Sequence, residues 1–371
     1  MHRRYLICHV VHRLDFGGLE NGLINLINSL PADRFRHAVV SLTDVTRIVE
    51  RIEAADVEVI ELRKRPGTDL KTYAKMYRLL RVLRPDLLHT RNLGTLEYQL
   101  LAWTTGVRGR IHGEHGWDVF DPSGKTPRYV RMRRLLDPLI HRYVVVSEEI
   151  EGWLIDEIHI GKSKVSRICN GVDTDRFTPA RREPSQNTIT VGTVTRFSEI
   201  KDPLNLVYAF EEVHRKCAKS GQAIRLIMVG DGPMLGQVRT RIAESRLSDH
   251  VILPGAQMDV RPWLAQMDIF VLASRREGIS NTLLEAMSCG LPLVATHTGG
   301  NIELIDQSVG RLVPPQNPEA LAKAISLYIE NPGQRERSGV AARERATQRY
   351  SIASMVELYR SLYERELEAL A

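Results

Sequence analysis

Glu277-Gly278-Ile279-Ser280-Asn281-Thr282-Leu283-Leu284-Glu285-Ala286-Met287 follows directly on a short apolar run, Ile269–Leu272. The run has the length of a strand, and Gly278, Ser280 and Asn281 suit a tight turn out of it. A helix then starts near Asn281 or Thr282. Strand, tight turn and helix make up most of a βαβ unit, so the stretch predicts an α/β fold with a parallel sheet. A helix start offers unpaired backbone N–H groups and the positive end of the helix dipole, a ready site for an anion such as a diphosphate. Glu277 lies before the helix and Glu285 inside it. Both carboxylates can accept hydrogen bonds from sugar or ribose hydroxyls. By spacing alone they serve equally well as surface residues or as partners of the helix dipole.

The same alternation runs outward in both directions. Downstream of residue 186 the expected strands are Thr188–Val194, Arg225–Val229, Val251–Leu253, Ile269–Leu272, Leu293–Ala295 and Arg311–Val313. Helical stretches between and after them include Leu204–Cys217, Leu235–Ser245, Thr282–Ser288 and Pro318–Ile329. Upstream, Tyr5–Val11, His37–Leu42, Val57–Leu62, Leu87–His89, Arg110–His112, Tyr143–Val146 and Val165–Cys169 form a second set of strands. Leu19–Leu30, Thr72–Leu83 and Thr95–Thr105 are the amphipathic segments among them.

Between the two series the pattern breaks. Thr178-Pro179-Ala180-Arg181-Arg182-Glu183-Pro184-Ser185 is polar, contains proline and has no period, so it reads as a linker. Two doubly wound, Rossmann-like domains are therefore expected, over residues 1–180 and 186–351. A last helix over about 352–371 has Met355, Leu358, Tyr359, Leu362 and Leu367 on one face. It is expected to pack back on the first domain. Open α/β sheets bind ligands at the carboxyl ends of their strands. Two such domains facing one another make an interdomain cleft, a preferred ligand site.

Composition narrows the functional classes. The chain has 371 residues, 43% of them hydrophobic, enough for a substantial core. Its 51 Lys and Arg against 45 Asp and Glu give a net charge of +6, which favours anionic partners such as nucleotides or phospholipid headgroups. No apolar run reaches the length of a membrane span. The start, Tyr5-Leu6-Ile7-Cys8-His9-Val10-Val11, reads as a first strand and not as a secretion signal. These features predict a cytoplasmic protein, with the inner face of the membrane as an alternative place of work. The four cysteines are scattered, without a CxxC pair, as expected for reduced thiols and not for a metal site.

The run from Glu277 to Glu285 resembles the Glu-x7-Glu signature of the retaining GT-B glycosyltransferases, in particular their family 4. Ala286 through Thr296 and Gly299-Gly300 extend the likeness. Gly17-Gly18, Asn170-Gly171-Val172-Asp173, Arg196 with Lys201, and Gly230-Asp231-Gly232-Pro233 fall in the family's order, so the resemblance spans essentially the whole chain. It implies transfer of a sugar from a nucleotide-diphosphate donor to a glycan or lipid-linked acceptor, in polysaccharide or glycolipid assembly. Glu285 would hold the ribose and Glu277 the transferred sugar. Gly278, Ile279, Ser280, Asn281 and Thr282 would meet the phosphates through their amides. Arg196 and Lys201 would neutralise the diphosphate as its charge grows, a task that fixed cations do well. No metal and no cofactor is then required. Ser280, Thr282 and Thr195 depart from the residues most frequent in the family, and Asp202 after Lys201 is a further departure.

Four features stand beside that signature. Gly17, Gly18 and Gly230 are glycines where a backbone can approach a phosphate or simply turn. His115, in His112-Gly113-Glu114-His115, resembles the family's histidine beside the reacting sugar, with His112 as the competing assignment. Asp173-Thr174-Asp175 looks like a metal-binding Asp-x-Asp, but its place at the linker favours turn capping. The basic and apolar stretch Lys125–Leu136 is a candidate for contact with an anionic membrane surface, or else a solvated helix face. A sugar-nucleotide epimerase or hydrolase of the same fold is the competing enzyme class. A lipid- or nucleic-acid-binding module is the competing non-enzyme; nucleic acid is not an expected partner.

Overall fold

The structure is a computed structural model that describes residues 4–15, 17–118, 121, 123–180 and 188–369. The stretch Arg181-Arg182-Glu183-Pro184-Ser185 of the expected linker lies outside the described residues. The chain forms two compact units. One holds Met1–Asn170 with Ile352–Ala371, and the other Gly171–Ser351.

The first unit is built on seven strands: β1 (Tyr5–Val11), β2 (Phe35–Ser41), β3 (Glu58–Glu61), β4 (Leu87–Arg91), β5 (Gly109–Glu114), β6 (Arg142–Val145) and β7 (Val165–Arg167). They pair in the order β3-β2-β1-β4-β5-β6-β7, every pair parallel. Strand side chains alternate between faces, so both faces must be covered. Ile7, Leu87, Ile111 and Val144 pack with Leu26 of the helix Gly18–Ser29 and with Tyr359 and Tyr363 of the helix Ile352–Glu368. Cys8, Val10, Ala38 and Leu88 face the other way, onto Met76 of the helix Leu70–Leu83 and Ala102 of the helix Tyr98–Thr104. That is a doubly wound sheet.

The second unit repeats the plan with β8 (Thr188–Val194), β9 (Ala223–Val229), β10 (Val251–Gly255), β11 (Ile269–Leu272), β12 (Leu293–Thr296) and β13 (Gly310–Val313). Their order is β10-β9-β8-β11-β12-β13, again all parallel. Val191, Leu226, Met228 and Val271 form its core with the helices Pro203–Ser220, Leu235–Glu244 and Pro318–Glu330.

Three details differ from the sequence reading. The expected helix Thr95–Thr105 is two, Leu93–Leu96 and Tyr98–Thr104. At their joint the Leu100 amide bonds back only three residues, to Glu97 O at 3.2 Å, which tightens the turn. A further helix, Pro332–Arg349, has no apolar stripe to announce it. It buries Ser338, Gly339, Ala342 and Ala346, a row of small residues that lets its backbone come close. A Cβ on Gly339 would lie 2.3 Å from Gly290 O. Finally, the segment after Gly171 packs in the second unit. Arg343 donates to Phe177 O at 2.8 Å and Thr174 O at 2.9 Å, and the Val172 amide donates to Tyr350 O at 2.8 Å. The chain thus divides at Asn170/Gly171, ahead of the polar stretch.

Among the described residues no helix is long and apolar enough to cross a membrane. All four cysteines are free thiols, and burial pushes Cys8 and Cys289 up to about 12.

Candidate active site

In the second sheet the order turns at β8 and β11, which lie side by side while their successors lead off in opposite directions. Loops leaving the carboxyl ends of such a pair diverge and open a crevice. The loop after β8 carries Arg196 and Lys201, and the loop after β11 carries Glu277.

Lys201 Nζ donates to both oxygens of Glu277, at 2.6 and 2.7 Å. Ser274 Oγ donates to Glu277 Oε1 at 2.6 Å, and Thr296 Oγ1 donates to Ser274 O at 2.5 Å. The Glu277 side chain is only 5% exposed, against 27% for Lys201. A buried carboxylate thus meets the cation from within the sheet. Arg275 staples the two loops together. Its amide donates to Ile200 O at 2.8 Å and its Nε to Asp202 Oδ2 at 3.1 Å. Asp202 sits in a left-handed conformation, φ 47°, at the N-cap of the helix Pro203–Ser220. Arg196 is exposed, and its guanidinium has no hydrogen-bond or ion-pair partner among the described residues.

The turn after Glu277 is held from below. Gly300 N donates to Gly278 O at 2.8 Å, and a Cβ on Gly300 would lie 2.2 Å from that oxygen. Only glycine fits there, which gives Gly299-Gly300 its reason. Ser280 caps the helix Asn281–Ser288: its Oγ accepts from Leu283 N at 3.3 Å and lies 3.1 Å from Thr282 Oγ1. No acidic side chain occupies the first turn, so the positive end of the helix is not met by a local carboxylate. Ile279 lies on the turn just before Ser280, under Gly300. Glu285 is half-buried one turn in, four residues from Asn281 and on the same face.

Gly230 has a packing role. Its φ is 141°, and a Cβ would lie 1.9 Å from Thr195 O. The loops after β8 and β9 therefore touch backbone to backbone, with the Phe197 amide donating to Asp231 O at 2.8 Å. That contact fixes the loop carrying Arg196.

In the first unit Gly17 is the N-cap of the helix Gly18–Ser29. The space beside it is faced by Glu20: a Cβ on Gly17 would lie 2.3 Å from Glu20 Oε2. Burial, with Asp15 nearby, pushes the Glu20 carboxyl up to about 7. Sequence reading missed Glu20, since an acid in a first turn is commonplace.

His112 and His115 separate clearly. His112 Nδ1 is 2.8 Å from Thr90 Oγ1 and its Nε2 is 3.4 Å from Glu114 Oε1. Both ring nitrogens are used. His115 Nε2 is buried with no partner among the described residues, and its amide donates to Asn92 Oδ1 at 2.8 Å. Burial, and then Arg91, push the His115 imidazole down to about 3, so it is neutral.

The basic stretch Lys125–Leu136 contains the helix Pro127–Leu136. Arg133 in it is buried. It donates to Glu114 Oε1 at 2.8 Å and Asp121 Oδ2 at 3.3 Å, and lies 4.6 Å from the Trp153 ring centre. It is a structural cation and is not available to a surface. Arg134 donates to Ile158 O and Glu157 O. Arg128, Arg131 and Leu135 remain exposed. Asp173 Oδ1 accepts from the amides of Asp175 and Arg176, at 3.1 and 2.9 Å, which is turn capping. Among the described residues no group of three His, Cys, Asp or Glu is placed to hold a metal.

Two family profiles match the chain, one to each unit. Residues 16–176 match "Glycosyltransferase Family 4" and residues 188–331 match "Glycosyl transferases group 1". The chain belongs to the family 4, group 1 glycosyltransferases of GT-B fold. A glycosyltransferase from Rickettsia africae superposes with a TM-score of 0.85, at 21% identity, over 99% of this chain and 100% of that one. Anabaena Alr3699/HepE, in a crystal structure in complex with UDP and glucose, gives 0.81 at 21% identity over 96% of this chain and 99% of that one. Among curated relatives, an Escherichia coli UDP-Gal:alpha-D-GlcNAc-diphosphoundecaprenol alpha-1,3-galactosyltransferase is 26% identical over 63% of each chain. The putative colanic acid biosynthesis glycosyltransferase WcaL of Escherichia coli K12 is 32% identical over 60% of this chain and 56% of its own. The match thus spans somewhat under two thirds of these relatives' length.

Proposed function

We propose that this glycosyltransferase moves a sugar from a nucleotide-diphosphate donor to a glycan or lipid-linked acceptor, with retention, in the assembly of a cell-surface polysaccharide or glycolipid. It acts in the cytoplasm or at the inner face of the membrane. The observation that carries the reading is the Lys201–Glu277–Ser274 constellation at the turn of the second sheet, beside the Ser280-capped helix start whose first turn carries no acidic side chain. The amides from Gly278 to Thr282 and the cations Arg196 and Lys201 take the diphosphate. Glu285 takes the ribose and Glu277 the transferred sugar. On the first domain, Gly17 and Gly18 let the backbone approach a donor phosphate, and the neutral His115 serves the acceptor side. As the bond between the sugar's anomeric carbon and the phosphate oxygen breaks, that oxygen gains charge and the two cations stabilise it. The same oxygen takes the proton of the attacking acceptor hydroxyl, which bonds the anomeric carbon on the face just vacated. A UDP-hexose is the first donor to try, given the UDP- and UDP-Gal-handling relatives above.

The test is a thermal-shift screen with UDP, GDP, ADP and their sugars, followed by calorimetry on two variants. A ligand selective for the folded state raises the melting temperature by mass action. Glu285→Gln should bind the free nucleotide diphosphate more weakly, by on the order of 1.5–3 kcal/mol for a lost charge-assisted bond. Glu277→Gln should bind it at least as well as the parent, because Lys201 is then released from its partner, and yet transfer sugar poorly. Both variants behaving like the parent would sink the reading. Nucleotide release that ignores every glycan and lipid-linked acceptor would favour an epimerase or hydrolase. The mechanism needs no metal, and loss of turnover under EDTA restored by Mg²⁺ would overturn that part.

A further inference from the structure

We propose that Asn92 is a positioning residue for His115, acting through its side-chain carbonyl. The proposal rests on the assignment of His115 to the acceptor side. Asn92 is the first residue past β4, at the point where the order of the first sheet turns between β1 and β4. Its backbone sits at φ 60°, ψ 168°, a region that belongs almost entirely to glycine. An asparagine held there is strained unless its side chain gives something back.

The neighbouring contacts show what it gives. The Asn92 amide donates to Gly113 O at 2.7 Å, continuing the β4–β5 ladder one step beyond the Arg91–Gly113 pair. Asn92 O accepts from the Thr95 amide at 3.1 Å and from Thr95 Oγ1 at 3.1 Å. A glycine could keep all of these, with no strain. The Asn92 Oδ1 bond to the His115 amide, at 2.8 Å, is the one that glycine cannot make. The residue between is pinned as well, since Glu114 is held by Arg133 at 2.8 Å. Two anchors from different elements thus fix the backbone on which the imidazole turns. Gly113 leaves room for the ring, because a Cβ there would lie 2.4 Å from His115 Nε2. The result is an imidazole whose backbone is rigid and whose Nε2 is left without a partner among the described residues.

A series at one position separates backbone from side chain. Asn92→Gly relieves the strain and loses the acceptor, Asn92→Asp keeps the acceptor, and Asn92→Ala keeps the strain and loses the acceptor. The readouts are melting temperature, the ¹H–¹⁵N signals of the His115 imidazole, and UDP release from UDP-glucose. Asn92→Gly should melt at or above the parent, show a shifted or broadened His115 ring, and lose about tenfold or more in kcat, the scale of a modest misplacement. KM for UDP-glucose should hold, because Asn92 bonds to Gly113, Thr95 and His115 and to none of the residues proposed to hold the donor. Asn92→Asp should keep the parent's ring signals and stay within a few-fold of its kcat. Asn92→Gly with parental ring signals and parental kcat would overturn the proposal. Should Asn92→Gly fail to fold, Asn92→Asp against Asn92→Ala carries the same contrast. His115→Ala with unchanged turnover would remove the acceptor-side reading of His115, while the ring signals of Asn92→Gly would still report whether Asn92 positions it.

Discussion

Lys201 and Arg196 are both cations proposed for one diphosphate, but they start from different states. Lys201 is already paired with a buried carboxylate, whereas Arg196 is exposed and unpaired among the described residues. Arg196→Ala should therefore leave stability within about 0.5 kcal/mol, as surface changes do. Lys201→Ala strands the Glu277 carboxylate, and a loss of about 1–3 kcal/mol is expected for an unsatisfied buried group. Both should lower turnover by roughly 100-fold, the scale of removing one stabiliser of developing charge. Steady-state kinetics beside thermal melts would check this, and parental turnover in both variants would refute the clamp. Gly230 makes a second residue-scale case. A Cβ at φ 141° and 1.9 Å from Thr195 O is both strained and obstructed. Gly230→Ala should cost about 1–3 kcal/mol for the conformation alone, and should weaken nucleotide binding by moving the Arg196 loop. A melting temperature equal to the parent's would show that the two loops do not depend on that contact.

At the scale of elements, the helix Pro127–Leu136 has two jobs that its sequence blends into one basic run. Arg133 is an internal strut, and Arg128 and Arg131 are surface charges. Arg133→Gln should destabilise the first domain by about 3–5 kcal/mol, since breaking a buried pair leaves Glu114 uncompensated. Neutralising Arg128 and Arg131 together should leave the melting temperature alone and weaken co-sedimentation with anionic liposomes, at about 1 kcal/mol per residue. Liposome binding unaltered by that pair would make the helix an ordinary solvated face. The same helix shows what sequence can and cannot tell. Strands were legible because buried parallel strands are short apolar runs, and the start of the helix after β11 because Gly278, Ser280 and Asn281 mark the turn that leads into it. The helix Pro332–Arg349 was not, because it packs through Ser338, Gly339, Ala342 and Ala346 and carries no apolar period. Nor were the Arg133–Glu114–Asp121 network, Asn92 and Arg275. Their partners are far apart in the chain and meet only when the sheet order brings their loops together.

For the molecule as a whole, the largest internal peculiarity is a polar stripe under the last helix. His9, His37, His89 and Arg91 are all buried on one face of the first sheet, beneath Tyr359 and Tyr363. His9 Nε2 is 3.1 Å from His37 Nδ1, Arg91 Nη1 is 3.1 Å from His9 Nδ1, and His89 Nδ1 is 2.8 Å from Tyr363 OH. Burial, and then the Arg91 charge, push His37 down to about 4 and His9 and His89 well below the ordinary imidazole value. His115 is pushed the same way. These rings stay neutral when folded but take up protons near 6.5 when unfolded. Their contribution is therefore present above about pH 6.5 and is lost as pH falls toward their folded values. Each ring can remove up to about 1.4 kcal/mol per pH unit in that window. Glu20 works in the opposite direction. Its carboxyl, raised to about 7, favours the folded state fully below the unfolded value near 4.5 and loses that contribution as pH rises through 7. Four rings oppose one carboxyl, so the first domain should lose stability steadily from pH 6.5 to pH 5. Scanning calorimetry across that range should show its transition moving down, and His37→Gln should flatten the slope by about one proton's worth. A transition that holds steady or rises on acidification would mean that the rings are protonated in the fold, with Arg91 compensated by some other group.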